Sequence, residues 1–356
     1  MEVLEYFFNL KLKNTLFYPR RLKLPKNSSF FLYGARGVGK SYLIIDYLNN
    51  LEKKYLYIDA QDPIFVFEEL LKSEIEKFIY EEEIETLVID HFFEGFLEGN
   101  INVKQLIFIS REDICSLKFP KFKLLPLDYE EFLGFEKVLN TKSTFNHFLK
   151  LGTLPKVAKG ETLEHFINVK EFFLEKFDEM ESRLLLIIAK FHARRASPHQ
   201  IYTLAKEYFK ISKDWTYKTI KKMEQEGVIY YLDETYQKGA RVILIYDFVL
   251  AKYLNKNLTF TQTFESIIAL ALIKKSQKFA TLGRMGFLLF EKKILIYPGA
   301  FVTKEQILKR VQKEFEIFKK FGIRSVIVTT ISNNYTFEFR GISFEALPLY
   351  EWILGD

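Results

Sequence analysis

The sequence is poor in several features that mark particular classes of protein. It has one cysteine, Cys115, among 356 residues, which excludes an intramolecular disulfide and a cysteine-cluster metal site and favours a reducing compartment. No uncharged apolar run approaches the ~18 residues of a membrane-spanning helix. The start, MEVLEYFFNLKLKN, lacks the basic start, the apolar stretch and the small-residue cleavage site of a signal peptide. We therefore expect a cytoplasmic protein without a membrane partner.

Glycine and proline are also scarce, at 16 and 9 residues, which argues against long linkers and low-complexity tracts. Hydrophobic residues make up 48% and charged residues 28%, a composition typical of globular chains. At roughly 150 residues per domain, the length predicts two or three domains. The net charge of +6 is weak evidence for an anionic partner.

The pattern along the chain predicts an α/β fold in five regions. Residues 1–27 form a basic N-terminal segment, and residues 28–135 alternate apolar strands with helices, as in a P-loop ATPase core with a parallel sheet. Residues 136–178 are predicted as a helical lid or linker, 179–254 as a mainly helical winged helix, and 255–356 as a further α/β domain. The predicted core strands are SFFLYG, KYLYIDA, ETLVID and QLIFIS.

One glycine-rich stretch carries the most specific functional signal. GARGVGKS matches G-x-x-x-x-G-K-[ST] between a predicted strand and helix. Its glycines and the helix N-terminus are suited to phosphates, Lys40 is predicted to reach the β- and γ-phosphates, and Ser41 to hold Mg²⁺. The alternative is a glycine turn with a solvated lysine. The predicted contacts of ATP are Gly34, Ala35, Arg36, Gly37, Val38, Gly39, Lys40, Ser41 and Tyr42. No guanine-reading motif is present.

Asp90, at the end of ETLVID, is predicted to hold Mg²⁺ together with Ser41; otherwise it only caps the strand. His91 stands where many ATPases have a glutamate that positions the attacking water. His91 could act as the base, Glu94 could substitute, or hydrolysis is slow or absent. The predicted catalytic residues are Lys40, Asp90 and His91. Ser110 and Arg111 lie at the end of the fourth predicted strand. Either they sense the γ-phosphate, or they are ordinary strand-end residues.

A basic helical segment follows. From residue 181 to residue 246 there are twelve Lys and Arg against seven Asp and Glu. SPHQ predicts a helix start capped by Ser197, and DWTYKTIKKMEQEG a second helix capped by Asp214 and ended by Gly227, before a hairpin turning at Lys238-Gly239. Trp215, Ile220 and Met223 are predicted to face the core. Lys218, Lys221 and Lys222 are predicted to be exposed and to contact nucleic acid; otherwise the helix serves packing or protein contacts.

The chain resembles the prokaryotic AAA-type ATPases that carry a winged helix and a C-terminal restriction-endonuclease-like domain. The matching stretches, in chain order, are GARGVGKS, VIDHF, KLLPLDYEEFLGF (residues 123–135), FLKLGTLPKV (148–157), RVILIYDFVLAKYL (241–254) and FES (264–266). The resemblance implies an ATPase core in the first third and a winged helix after it.

The departures from that family concern catalysis. The family usually reads "DE" at Asp90-His91, and a glycine-arginine pair where this chain has SLKFPKFKLLPL, which puts an arginine finger acting in trans in doubt. The strands RMGFLLF and KILIYPG lack the family's aspartate and lysine, and a lone Glu265 cannot assemble the magnesium site. We expect a degenerate, inactive nuclease-like domain in which Glu265 is structural.

Three hypotheses follow from these residues. The first is a probable ATPase, a nucleotide-driven switch or motor with DNA or a protein as partner. The second is a nucleotide-binding scaffold or switch with little or no hydrolysis, favoured by His91 and the missing arginine. The third, an active nuclease, needs a metal site that the sequence does not offer. A homo-oligomer stays open.

Overall fold

A computed structural model describes residues 2–10, 12, 18–67, 69–97, 101–134, 141–159, 165–235 and 240–355. The chain divides into two units. The first comprises Met1–Pro126 with the short segment Gln225–Gly227, and the second comprises Leu127–Glu224 and Val228–Asp356. The finer domain boundaries expected from the sequence stay predictions. None of the helices in these described ranges has the length and apolar character needed to cross a membrane.

The first unit is built on a parallel sheet. Its elements are α1 (Glu2–Asn9), β1 (Phe30–Tyr33), α2 (Lys40–Asn49), β2 (Tyr55–Asp59), a 3₁₀ turn (Pro63–Val66), α3 (Lys72–Glu81), β3 (Thr86–Asp90), β4 (Gln105–Ser110) and β5 (Lys121–Lys123). The strands are all parallel in the order β2-β3-β4-β1-β5. The four predicted strands are confirmed, because their apolar runs fit a sheet covered on both faces. The sequence does not predict β5, KFK, which has no such run.

Helix α1 belongs to the core of the first unit, although the sequence predicts only a basic segment there. Its Val3, Leu4 and Phe7 are buried in the same cluster as residues of β2 and β3. The ring of Phe7 stacks on that of Phe65, with centroids 5.6 Å apart. The N-terminal segment is therefore part of the packed unit.

The remaining elements are α4 (Tyr129–Leu133), α5 (Thr141–Leu151), α6 (Pro155–Ala158), α7 (His165–Lys176), α8 (Glu179–Ala189), β6 (Arg194–Ala196), α9 (Pro198–Tyr208), α10 (Lys213–Glu226), β7 (Ile229–Leu232), β8 (Arg241–Ile245), α11 (Phe248–Leu254), α12 (Phe260–Lys274), β9 (Ala280–Thr281), a 3₁₀ turn (Gly283–Met285), β10 (Phe287–Leu289), β11 (Ile294–Pro298), α13 (Lys304–Phe321), β12 (Ser325–Thr330), β13 (Tyr335–Phe339), β14 (Ile342–Pro348) and α14 (Leu349–Leu354). They include an antiparallel sheet, β6-β8-β7, and a mixed sheet, β13-β14-β12-β11-β10-β9.

The helix ends in this region test the capping predictions. Ser197 caps α9 in a capping box with Gln200, and Pro198 is the first helical residue, as predicted. The prediction of Asp214 as the next cap is wrong: α10 already begins at Lys213, and the Ser212 hydroxyl accepts from the Trp215 amide at 3.2 Å. The predicted turn at residues 238–239 lies outside the described residues, as does residue 135 of the PL segment.

Two stretches that carry the family resemblance meet in the second unit. Asp247, buried ahead of α11, accepts hydrogen bonds from the amide and hydroxyl of Thr153 at 2.6 and 2.7 Å, and from the Leu250 amide at 2.6 Å. Burial raises the pKa of Asp247, and these donors oppose the rise. The neighbouring Gly152 has φ 77°, and a Cβ there would lie 2.6 Å from the Asp247 carboxylate.

The burial of α1 leads to a stability prediction. We expect Leu4→Ala, at a fully buried position, to lower the free energy of unfolding by about 2–5 kcal/mol, because it removes buried methyl groups and leaves a cavity. Tyr6→Ala, at a side chain that is 47% exposed, is the matched control and should have little effect. Urea unfolding followed by circular dichroism measures both. Equal effects of the two changes would contradict the placement of α1.

Candidate functional site

The predicted phosphate-binding loop lies between β1 and α2. β1 ends at Tyr33, Gly39 precedes the helix with φ 93°, and Lys40 is the first helical residue. Gly34 has φ 151°, and a Cβ there would lie 2.2 Å from the carbonyl oxygen of Leu124, so only glycine fits. Strand, loop and helix thus follow one another as the motif requires.

The ammonium group of Lys40 lies inside this loop. Its Nζ donates to the carbonyl oxygens of Gly34 at 2.7 Å and Ala35 at 3.0 Å, and the residue is only 9% exposed. The alternative of a solvated lysine is therefore wrong. The positive charge is held at the N-terminus of α2, where the first amide groups of a helix also favour an anion.

Arg20 and Arg36 fix the loop to its surroundings. The guanidinium of Arg20 donates to the carbonyl oxygens of Val38 at 2.8 Å and Leu125 at 2.6 Å. Arg36 forms an ion pair with Glu226 at 2.6 Å, and both side chains are almost fully buried. The guanidinium of Arg36 is thus engaged by Glu226, and the predicted contact of Arg36 with nucleotide stays a prediction. Loss of either partner would leave an uncompensated buried charge.

The hydroxyl of Tyr57 connects the two residues predicted to hold Mg²⁺. It donates to the Asp90 carboxylate at 2.5 Å, and it lies near the Ser41 side chain, which opposes the rise of the Tyr57 pKa. Asp90 is 1% exposed at the end of β3, and its other oxygen accepts from the His91 amide at 2.7 Å. Burial, followed by the charge of Asp90, raises the pKa of Tyr57. The structure therefore brings Ser41 and Asp90 together across three elements.

His91 forms a pair with Asp59, which ends the neighbouring strand β2. The ring Nδ1 lies 2.7 Å from Asp59 Oδ1, and His91 has φ 54°. The hydrogen bond to Asp59 raises the pKa of His91, against burial, which lowers it. Burial also raises the pKa of Asp59, but hydrogen bonds from His91 and the Gln61 amide outweigh it and the net shift is downward.

The other predicted site residues lie around this centre. Glu94 is exposed, Tyr42 on α2 is 58% exposed, and Ser110 is buried at the end of β4. The Arg111 guanidinium donates to the Gln61 side chain at 3.3 Å, and its charge acts on His91.

The predicted nucleic-acid residues lie on α10. Lys218 and Lys221 are exposed. Lys222 contacts Glu181, with Nζ 3.1 Å from Oε1, so this lysine has a structural partner. Ile220 and Met223 are buried as predicted, and Trp215 is half-buried.

Residues 26–94 match the model of the AAA domain. This part of the chain is an AAA-type, P-loop ATPase-like domain. Among curated proteins, none matches the sequence.

Several solved structures resemble the chain distantly. The Walker-type ATPase PABY2304 of Pyrococcus abyssi is 14% identical over 63% of this chain and 90% of its own, with a TM-score of 0.43. The signal-transduction ATPase PH0952 of Pyrococcus horikoshii is 15% identical over 70% of this chain and 43% of its own, with a TM-score of 0.29. The Aeropyrum pernix ORC1 protein, solved in complex with DNA, is 13% identical over 65% and 87%, with a TM-score of 0.32. Likenesses this distant say nothing of substrates or partners.

Tyr57, Asp59 and Arg20 contribute to the site without having been predicted in it. Asp59 ends a buried strand, as Asp90 does. Acidic residues at the carboxyl ends of parallel strands commonly line ligand sites, so the sequence pattern that indicates Asp90 also indicates Asp59. Tyr57 carries no motif, and only the pairing of β2 with β3 places it beside Asp90. Arg20 lies in the basic N-terminal segment, and nothing in its sequence context indicates which carbonyl groups it contacts.

The His91–Asp59 pair predicts a pH dependence. We expect the His91 ring to titrate above its usual pKa of 6.5, and Asp59→Asn to lower that midpoint, because the hydrogen-bonding charge is removed. The titration is measured from ring signals in NMR spectra. Asp62→Asn is the control, since the Asp62 carboxylate accepts from the Ile64 amide instead.

The same pair contributes to stability within a pH window. The His91 contribution is present below pH 6.5 and is lost as pH rises through its raised pKa; the Asp59 contribution is present above 3.8 and is lost as pH falls through its lowered pKa. The effect of Asp59→Asn on stability should thus be largest between these two values. A midpoint for His91 that Asp59→Asn leaves unchanged would contradict the assignment.

Proposed function

We propose that the chain binds ATP with Mg²⁺ at its P-loop, hydrolyses it, and couples the nucleotide state to a winged helix that contacts nucleic acid or a protein partner. The position of the Lys40 ammonium inside the loop carries the proposal. The AAA-domain match over residues 26–94 supports it.

The residues present fit a magnesium nucleotide. Bound Mg²⁺ would neutralise phosphate charge, with the Ser41 hydroxyl and the Asp90 carboxylate as its protein ligands. Lys40 would exchange its two carbonyl partners for phosphate oxygens, a charge-assisted contact. Hydrogen bonds from Tyr57 and the His91 amide orient the Asp90 carboxylate, so the metal ligand is held before any nucleotide arrives.

His91 is the candidate base for the hydrolytic water. Its Nδ1 is engaged by Asp59, an arrangement that fixes the ring orientation and leaves Nε2 as the nitrogen able to accept a proton. The raised pKa makes the ring a stronger base, but it also reduces the neutral fraction near pH 7. We therefore expect slow turnover that increases as pH rises through the His91 pKa.

A scaffold or switch with little hydrolysis is the second candidate. It is favoured by the histidine after Asp90 and by the exposure of Glu94 to solvent. Steady-state phosphate release separates the two functions. Release that follows the His91 titration and falls in His91→Asn supports the ATPase, whereas binding without release supports the scaffold.

The elements α8, β6, α9, α10, β7 and β8 follow one another as in a winged helix, with a three-stranded antiparallel sheet beside the helices. The exposed Lys218 and Lys221 on α10 support its contact with an anionic strand.

The nucleotide proposal predicts the effect of removing the loop charge. Lys40→Ala should weaken magnesium-dependent ATP binding about 100-fold, because an engaged charge of this kind contributes about 2–5 kcal/mol. Titration calorimetry with and without Mg²⁺ measures it. Lys104→Ala, at a 76%-exposed side chain of the same unit, is the control and should bind as the parent does. Folded parent protein that gives no heat with Mg·ATP or Mg·GTP at millimolar concentration would overturn the proposal.

The winged-helix proposal predicts a salt-dependent contact. Lys218→Glu with Lys221→Glu should weaken DNA binding and reduce the slope of log K against log salt by about 2, as two phosphate contacts are lost. Fluorescence anisotropy at several salt concentrations measures the slope. Lys252→Glu with Lys292→Glu, both exposed in the same unit, is the charge-matched control. Equal slopes in the parent and the α10 variant would exclude these lysines from the interface.

A further inference from the structure

A cavity of about 940 Å³ in the second unit is lined by many more basic than acidic side chains. Its wall takes residues from β6, α12, β11 and α13 and from the turn before β10. Among the described residues that line it are four arginines and one carboxylate: Arg194, Arg195, Arg284, Arg310 and Glu265. A volume of this size is typical of small-molecule sites.

A second cavity, of about 650 Å³, continues the basic wall. It shares Arg284 and Arg310 with the first cavity and adds Lys309, Lys313 and Glu314. The two cavities together therefore carry a clear excess of positive charge, which raises the local concentration of anions.

Two of these arginines are available to a ligand. Arg310 donates to the Tyr297 hydroxyl at 2.7 Å and to the Arg284 carbonyl at 3.0 Å, and Arg195 forms an ion pair with Glu234. The side chains of Arg194 and Arg284 are exposed, and in the described parts of the chain no hydrogen bond or ion pair engages them. A guanidinium has five donors in a fork that matches phosphate oxygens.

An aromatic surface lies at the same cavity. Phe301 lines the wall and is 69% exposed, and its ring lies 5.5 Å from that of Phe260, which is 44% exposed. Contiguous exposed apolar surface can mark a ligand-binding groove. A planar base can stack on an exposed aromatic ring whatever its identity, because every base has a π-face.

The cavity does not have the chemistry of a metal site. Glu265 is its one acid among the described lining residues, while β10 and β11 contribute Phe287, Tyr297 and Pro298 to the wall. Within the described residues, no three His, Cys, Asp or Glu side chains are grouped to hold a metal ion. The other charged side chains among the described residues of this wall are arginines, which suit an anion rather than a metal cation.

We propose that this cavity is a second ligand site, which takes a nucleoside phosphate through Arg194 and Arg284 and stacks its base on Phe301. The ligand is a free nucleotide or the phosphorylated end of a strand, since both present the same groups. The site is independent of the P-loop and of Mg²⁺.

The test counts ATP sites by equilibrium dialysis in four versions of the full chain: the parent, Lys40→Ala, Arg284→Ala and the double variant. At ATP concentrations that fill only sites of the parent's affinity, we expect two sites in the parent, one in each single variant and none in the double variant. The site left in Lys40→Ala should persist in EDTA, and Arg284→Ala should weaken it about tenfold or more. Arg324→Ala, an exposed arginine of the same unit outside both cavities, should leave the count unchanged.

The results distinguish the proposal for the P-loop from the proposal for the second site. A parent with only the EDTA-resistant site would contradict the P-loop proposal alone. A parent whose only site is lost in Lys40→Ala would overturn the second site, as would a second site that Arg284→Ala leaves intact. Circular dichroism confirms that each variant is folded, and the Arg284 side chain is exposed rather than part of the core.

Further probes in the Lys40→Ala background identify the ligand groups. AMP should bind more tightly than pyrophosphate, and Phe301→Ala should remove the difference; equal binding of the two would overturn the stacking.

Glu265→Gln should tighten AMP binding, because it removes the one negative charge among the described residues of the wall; weaker binding would indicate a metal-type role for Glu265 and contradict the proposal. A 5′-phosphorylated oligonucleotide that binds more tightly than AMP identifies the strand end as the source, and the reverse order identifies free nucleotide.

Discussion

The hydrogen bond from Tyr57 to Asp90 is the central contact of the candidate nucleotide site. The hydroxyl lies near Ser41 at the start of α2 and donates to Asp90 at the end of β3, and Tyr57 itself lies on β2. A buried polar group must be hydrogen-bonded to be tolerated, so a change in one member of this group is felt by the others. If a metal ion bound to Ser41 and Asp90, the hydrogen bond between Tyr57 and Asp90 would have to change. Because Tyr57 lies on β2, that change would link bound nucleotide to this strand.

Ion pairs play a different part around the loop. Arg20 contacts two backbone carbonyls, and Arg36 is paired with Glu226 in a nearly dry environment. Pairs of this kind add little net stability, because desolvation cancels much of the attraction, but they strongly disfavour any arrangement that separates the partners. The loop is thus held in one shape, and the cost of ordering it does not have to be met when a ligand binds.

Two groups of basic side chains in the second unit are candidates for binding anions. Lysines lie on the surface of α10, and arginines line the cavity beside α12 and α13. The strands β10 and β11 present Phe287, Tyr297 and Pro298 to that cavity. Among the described lining residues the arginines outnumber the one carboxylate, so the cavity favours anions over cations.

The sequence by itself determined the elements whose signal is local: the four apolar strands, the glycine loop with Lys40, the Ser197 cap and the acid ending β3. These follow from side-chain periodicity and backbone sterics within a few residues. Only the tertiary structure decided that KFK joins the sheet, that α1 enters the core, and that Tyr57 and Asp59 meet Asp90 and His91. Such contacts join residues far apart in the chain, and they arise from strand order and packing, which no local pattern encodes.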